Sequence, residues 1–240
     1  MKQYYLGIEF GSTRVKAVLI DGEHRIVKSG DYTWKSSLEN GVWTYHMEDV
    51  QTGLRTAIRN LGELPGAVSA MGISGMMHGY LAFDKDWNLL APFRTWQNTM
   101  TGEAAEQLTA EFGFNIPQRW SIAHLYQAVL NGEAHVKNIA HITTLAGYVH
   151  YLLTGENVLG VGEASGMFPI DSEALDYDAA MLEKFDALIA KYGFAWTARS
   201  VLPKVLTAGQ AAGALTQAGS TFLDLSLIHI SEPTRLLSIS

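Results

Sequence analysis

The 240-residue chain contains no cysteine, which removes disulfides, thiolate metal centres and cysteine nucleophiles from consideration. No apolar run approaches the roughly 18 residues that a membrane span needs. The opening residues, Met1-Lys2-Gln3-Tyr4, lack the apolar core of a signal peptide, so the expected location is cytoplasmic. Positive charge is scarce too, with 17 Lys and Arg against 24 Asp and Glu and a formal net charge of −7. Nucleic acids are gripped by lysine and arginine patches, and no such patch is visible. Neither nucleic acid nor membrane is therefore expected as a partner. Internal repeats and low-complexity linkers are absent as well.

What is present is a chain that is 48% hydrophobic and 17% charged, long enough to bury a full core in one large domain or two small ones. Strand patterns over 3–10, 14–20 and 25–34 follow one another across short turns and predict an antiparallel meander. Val50, Leu54, Ala57, Ile58 and Leu61 recur at helical spacing and predict a helix over 48–61. Short strands are expected at 68–73 and 80–83, and helices near 101–112, 121–131, 144–153 and 174–192. Strands first, with helices between and after them, indicate a layered α/β domain.

Four segments carry candidate chemistry. In the first, an apolar strand ends on Glu9, and Gly11-Ser12-Thr13 turns the chain into a second strand that carries Lys16. A tight bend of this kind offers backbone N–H groups and two hydroxyls to an anion such as phosphate, and Glu9 could hold a magnesium ion through water. The second is Gly75-Met76-Met77-His78-Gly79, where flanking glycines let backbone approach a ligand and His78 can hydrogen-bond a sugar hydroxyl. The third, Trp96-Gln97-Asn98, places an indole beside two amides, a set suited to a sugar's apolar face and its vicinal hydroxyls. The fourth surrounds Glu163 with small residues in Gly160-Val161-Gly162-Glu163-Ala164-Ser165-Gly166, a loop that could present a general base. The bland counterparts are a polar hairpin turn, a structural histidine, a helix start with a buried tryptophan, and an exposed glutamate. His124, His135, His141 and His150 match no zinc spacing and read as scattered residues, while Tyr148 and Tyr151 read as core and rim.

In order and spacing these segments resemble the N-terminal, sugar-binding domain of the FGGY carbohydrate kinases, xylulokinase-like members in particular. The text that carries the resemblance is Gly7-Ile8-Glu9-Phe10-Gly11-Ser12-Thr13 with Lys16, Gly72 to Gly79, Trp96-Gln97-Asn98, Leu153-Thr154-Gly155-Glu156, and Glu163-Ala164-Ser165-Gly166. It spans about residues 4–220 and implies an α/β domain of the actin-like, ribonuclease-H-like ATPase fold, a mixed sheet with flanking helices. It further implies an ATP- and Mg2+-dependent kinase for a sugar hydroxyl, the substrate being a ketopentose such as xylulose or a related sugar. By resemblance Glu163 is the catalytic base, and Glu9, Gly11, Ser12, Thr13 and Lys16 serve the phosphates and magnesium. Met77, His78, Gly79, Trp96, Gln97 and Asn98 then hold the sugar. Glu9 and Glu163 stand where the family usually has aspartate, and Asn98 where many members have aspartate, which puts the identity of the sugar in doubt.

Family members are about twice this length, so residues 1–225 are expected to be the sugar-binding domain, with the nucleotide domain absent. From Leu225 onward the text has neither period nor cap and resembles a translated sequencing adapter, so residues 226–240 are expected to be non-native. On that expectation the chain alone is inactive, and its bared apolar cleft face favours self-association, for instance as a homodimer. The rival reading is a non-catalytic sugar-binding or actin-like assembly domain, which would need neither Glu163 nor the phosphate turn.

Overall fold

A computed structural model describes residues 3–223 and 235–238. The meander forms as the alternation predicts. Strands β1 (Tyr4–Phe10), β2 (Arg14–Asp21) and β3 (Ile26–Thr33) pair antiparallel in sequence, with Leu6 opposite Leu19 and Glu9 opposite Lys16. A small hairpin, β4 (Ser37–Glu39) and β5 (Val42–Thr44), follows. Helix α1 (Met47–Arg59) then leads to β6 (Val68–Gly75), which joins the sheet parallel to β1. Parallel strands need a crossover, and α1 supplies it.

Period-two alternation sorts the sheet's two faces. Leu6, Ile8, Phe10, Val15, Ala17 and Leu19 are buried, in one cluster with Val50, Leu54 and Ala57 of α1. Tyr5, Gly7, Glu9, Lys16, Val18 and Ile20 alternate with them and line a groove of about 580 Å³ on the other face.

Strand β7 (Leu81–Phe83) and helices α2 (Gly102–Phe112) and α3 (Ser121–Leu130) build a second cluster. Strand β8 (His141–Thr143) pairs with β7. Helix α4 (Leu145–Thr154) starts where Thr144 accepts the Gly147 N–H and stops where Gly155 turns left-handed, a local start-and-stop pair. Strand β9 (Val158–Gly160) runs into a single turn, α5 (Val161–Ala164).

The helix expected over 174–192 is shorter than the pattern suggested. Residues 170–177 form a hairpin of β10 (Ile170–Asp171) and β11 (Asp176–Tyr177), and α6 (Ala179–Ile189) begins only where Asp178 caps it. Capping competes with apolar periodicity here and sets the boundary. After α7 (Ala198–Val201) come β12 (Lys204–Leu206), β13 (Ala211–Ala214) and α8 (Gln217–Phe222).

Of the segment 226–240, only 235–238 lie within the described residues, and they form β14 (Arg235–Ser238). This strand sits between β13 and β6, parallel to β6, so the six-stranded order is β13-β14-β6-β1-β2-β3. Four strand-forming residues thus occupy a sheet position although the segment carries no clear sequence period.

Candidate active site

The parallel pair β1 and β6 ends at one edge of the sheet, the side where ligands of α/β sheets collect. Glu9 pairs in register with Ser74, and the Met76 N–H donates to the Phe10 carbonyl at 3.1 Å, so the two functional turns leave the sheet together. The first is the Gly11-Ser12-Thr13 bend. Its carbonyls are held from behind: the Trp34 indole donates to the Gly11 oxygen at 2.8 Å and the Tyr45 hydroxyl to the Ser12 oxygen at 2.7 Å. The Trp34 N–H adds a bond to the Thr13 oxygen at 3.1 Å. With their carbonyls tied inward, the exposed Ser12 and Thr13 present hydroxyls outward. Lys16 reaches Glu9 at 3.1 Å with both side chains about half exposed, a pair that contributes little to stability but stays free to reorganise around an anion.

A magnesium ion fits here only in the outer-sphere sense. Among the described residues no group of three or more His, Cys, Asp and Glu could hold a metal. Glu9 is a single exposed carboxylate, so water would fill most of the shell, which suits magnesium's reluctance to dehydrate.

The second turn follows β6. Met77 is 40% exposed, while His78 and Gly79 both take positive φ, +69° and +94°. At Gly79 a Cβ would lie 2.6 Å from the Arg94 carbonyl, so this close crossing admits glycine alone. The His78 Nδ1 lies 3.2 Å from the Gly166 carbonyl. A carbonyl can only accept, so Nδ1 carries the proton and Nε2 of the neutral ring is left as an acceptor. Burial holds the His78 pKa below its ordinary value, against the raising effect of the Gly166 carbonyl and with a smaller lowering by Arg119. The ring is therefore neutral at pH 7.

Gly166 belongs to the turn that carries Glu163. A Cβ there would lie 2.6 Å from His78 Nδ1 and 3.4 Å from the Met77 methyl, so the absence of a side chain lets the two turns meet. Glu163 itself is 8% exposed, unlike the exposed glutamate of the bland alternative. One turn of helix, α5, turns it inward, toward Thr144, the N-cap of α4. Burial raises its pKa to about 7, with the Thr144 hydroxyl acting in the opposite direction. Oε1 is sealed from solvent and has no hydrogen-bond partner among the described residues.

The third expected segment divides. Trp96 is 45% exposed and Gln97 half-buried, so both can face a ligand. Asn98 is corrected. It is buried, with Oδ1 accepting the Trp43 N–H at 2.9 Å and Nδ2 donating to the carbonyls of Trp43 (2.8 Å) and Thr95 (3.0 Å). Its amide clamps β5 through both bonds to the Trp43 backbone.

Sequence reasoning missed the supports. Arg94, buried, pairs with Glu133 and lies over the Tyr80 ring, while the Tyr80 hydroxyl meets His135 Nε2 at 2.8 Å. Tyr80 and Arg94 also exchange backbone bonds of 2.8 and 3.2 Å, tying the 77–79 turn to the 95–98 segment. Thr144, Trp34 and Tyr45 belong to the same class of hidden partner, and no periodicity marks them.

Comparison with known proteins bears on the family and the fold. The family model described as "FGGY family of carbohydrate kinases, N-terminal domain" matches residues 4–226. A glycerol kinase of Thermococcus gammatolerans is 25% identical over 202 residues, covering 77% of this chain and 41% of the relative. A xylulose kinase of Klebsiella pneumoniae is 25% identical over 198 residues, covering 76% and 40%. The chain thus spans less than half the length of the curated relatives it matches. The crystal structure of xylulose kinase from Rhodospirillum rubrum superposes with a TM-score of 0.82 at 18% identity, over 99% of this chain and 49% of that one. The fold is accordingly the actin-like one of these sugar kinases, a mixed sheet with flanking helices. Among the described residues no helix is long and apolar enough to cross a membrane. With motif, fold and family model in agreement, the chain belongs to the FGGY family of carbohydrate kinases and carries their N-terminal domain.

Proposed function

We propose that this chain is the sugar-binding part of an ATP-dependent carbohydrate kinase whose substrate is a ketopentose such as xylulose or a related sugar. One observation carries the reading: the turn bearing the buried carboxyl of Glu163 is joined through Gly166 to His78, next to the paired turns of β1 and β6. In the reaction, Glu163 takes the proton of a sugar hydroxyl as that oxygen bonds to the γ-phosphorus of ATP and the bond to ADP breaks. A carboxyl with a pKa of about 7 is ionised often enough at neutral pH to accept a proton and basic enough to keep it. Met77, His78 Nε2, Trp96 and Gln97 orient the sugar. Gly11, Ser12, Thr13 and Lys16 approach the phosphates, and Glu9 holds magnesium through water, the ion supplying charge neutralisation when bound.

Phosphoryl transfer rests on positioning and charge neutralisation. We therefore expect the 240-residue chain alone to bind sugar without turning it over, and a longer protein of the relatives' length to be the active form. The test is a coupled ADP-release assay on that longer protein. Glu163→Gln is expected to lower kcat by about 100-fold or more with little change in the sugar KM, the scale of a positioned base. Unchanged kcat would remove Glu163 from the mechanism. Sugar binding to this chain with no kinase activity in the longer one would favour the non-catalytic reading.

A further inference from the structure

The segment between α2 and α3 is strapped across the residues assigned to the sugar. The Thr101 hydroxyl donates to the Gln118 carbonyl at 2.5 Å, the Gly79 N–H to the Arg119 carbonyl at 3.1 Å, and the Ser121 hydroxyl to the Gly79 carbonyl at 2.6 Å. These bonds fix the backbone of 118–121 against both the 77–79 turn and the start of α2. Arg119 is thereby anchored beside His78, and its side chain is exposed.

The charge of Arg119 is unusual for this molecule. Arg14, Arg25, Arg94 and Arg199 each face a carboxylate, and Arg55 lies over the ring of Phe222. Among the described residues the Arg119 guanidinium has no hydrogen-bond or ion-pair partner. Arg119 is also the sole charged side chain whose field acts appreciably on His78. Among the described residues Arg119 thus stands beside this turn as a cation with no carboxylate paired to it, in a chain whose net charge is −7.

We infer that Arg119 is a specificity-determining residue that reads a carboxylate on the substrate, so that, of the substrates proposed above, a related sugar in the form of a sugar acid is preferred over the neutral ketopentose. The inference rests on the assignment of Met77, His78, Trp96 and Gln97 to sugar binding. Its chemistry is that of the guanidinium fork, whose two parallel N–H groups match the two oxygens of a carboxylate. A neutral polyol offers those donors only single hydroxyl acceptors. The bond from the Gly79 N–H to the Arg119 carbonyl holds the Arg119 backbone against the turn that carries His78, so a ligand at that turn lies within the span of the arginine side chain.

The experiment is calorimetric titration of the 240-residue chain with D-xylonate and with xylitol, which differ by a carboxylate in place of a terminal hydroxymethyl group. At low salt, xylonate is expected to bind at least about tenfold more tightly, the scale of a charge-assisted bidentate contact. The advantage should shrink as sodium chloride is raised. Arg119→Gln should abolish the preference, and Arg119→Lys, which keeps the charge but loses the fork, should retain part of it. Equal affinities in the wild type, or a preference that survives Arg119→Gln, would overturn the inference while leaving the sugar site in place. Failure of both compounds to bind would overturn the site assignment and the inference with it.

Discussion

Replacing Glu163 by glutamine tests the burial of its carboxyl independently of catalysis. The pKa rises from an ordinary 4.5 to about 7 in the folded chain, because the carboxylate is denied water and only the Thr144 hydroxyl compensates. Below pH 4.5 the folded and unfolded chains both carry the proton, and the site adds no pH dependence. Between 4.5 and 7 the unfolded chain ionises while the folded chain keeps its proton, so stability falls as pH rises. Above 7 both are ionised and the whole desolvation penalty is in force. A difference of about 2.5 in pKa, at about 1.4 kcal/mol for each, corresponds to about 3 kcal/mol lost by the wild type between pH 4.5 and 8. Glutamine cannot ionise and should remove that slope. Urea unfolding of both proteins at pH 5 and pH 8 measures it, since every other titrating group cancels in the double difference. The variant is expected to gain about 2–3 kcal/mol on the wild type between the two pH values. Parallel pH dependences would refute the argument and mean that Glu163 is solvated or ionically paired.

Two further perturbations address the supports of the site. Glu133→Ala leaves the buried Arg94 guanidinium without its partner and is expected to cost about 3 kcal/mol of unfolding free energy, read by urea denaturation; a loss under about 0.5 kcal/mol would show that the pair contributes no more than a surface one. Gly166→Ala puts a methyl 2.6 Å from His78 Nδ1, a movable side-chain atom, so the fold should survive while His78 is displaced. Sugar affinity measured by titration should weaken about tenfold, the scale of one lost hydrogen bond, and an unchanged Kd would exclude His78 as a sugar contact.

Much of the architecture follows from short-range sequence. Alternation over 3–33 places Leu6, Ile8, Val15, Ala17 and Leu19 on one sheet face, because in a strand the period of two leaves no other arrangement. The spacing of Val50, Leu54, Ala57 and Ile58 sets the face of α1, and Thr144 with Gly155 brackets α4, each through bonds within a few residues. The turn chemistry of Gly11-Ser12-Thr13 and the glycines around His78 are local in the same way.

The tertiary structure decided what polar side chains do once they meet distant partners. Asn98 looks like a ligand contact in sequence, yet it is satisfied by the backbone of Trp43, 55 residues away. His78 acquires its tautomer from the Gly166 carbonyl, 88 residues away, and Glu163 its raised pKa from burial against Thr144. Nothing in the sequence near Arg119 shows that its guanidinium stands unpaired beside His78. The physical reason is one of range. Helix and strand periodicity express the geometry of neighbouring residues and can be read along the chain. Desolvation and hydrogen-bond satisfaction depend on which groups the finished fold brings within about 3 Å, and these are set by packing between segments far apart in sequence.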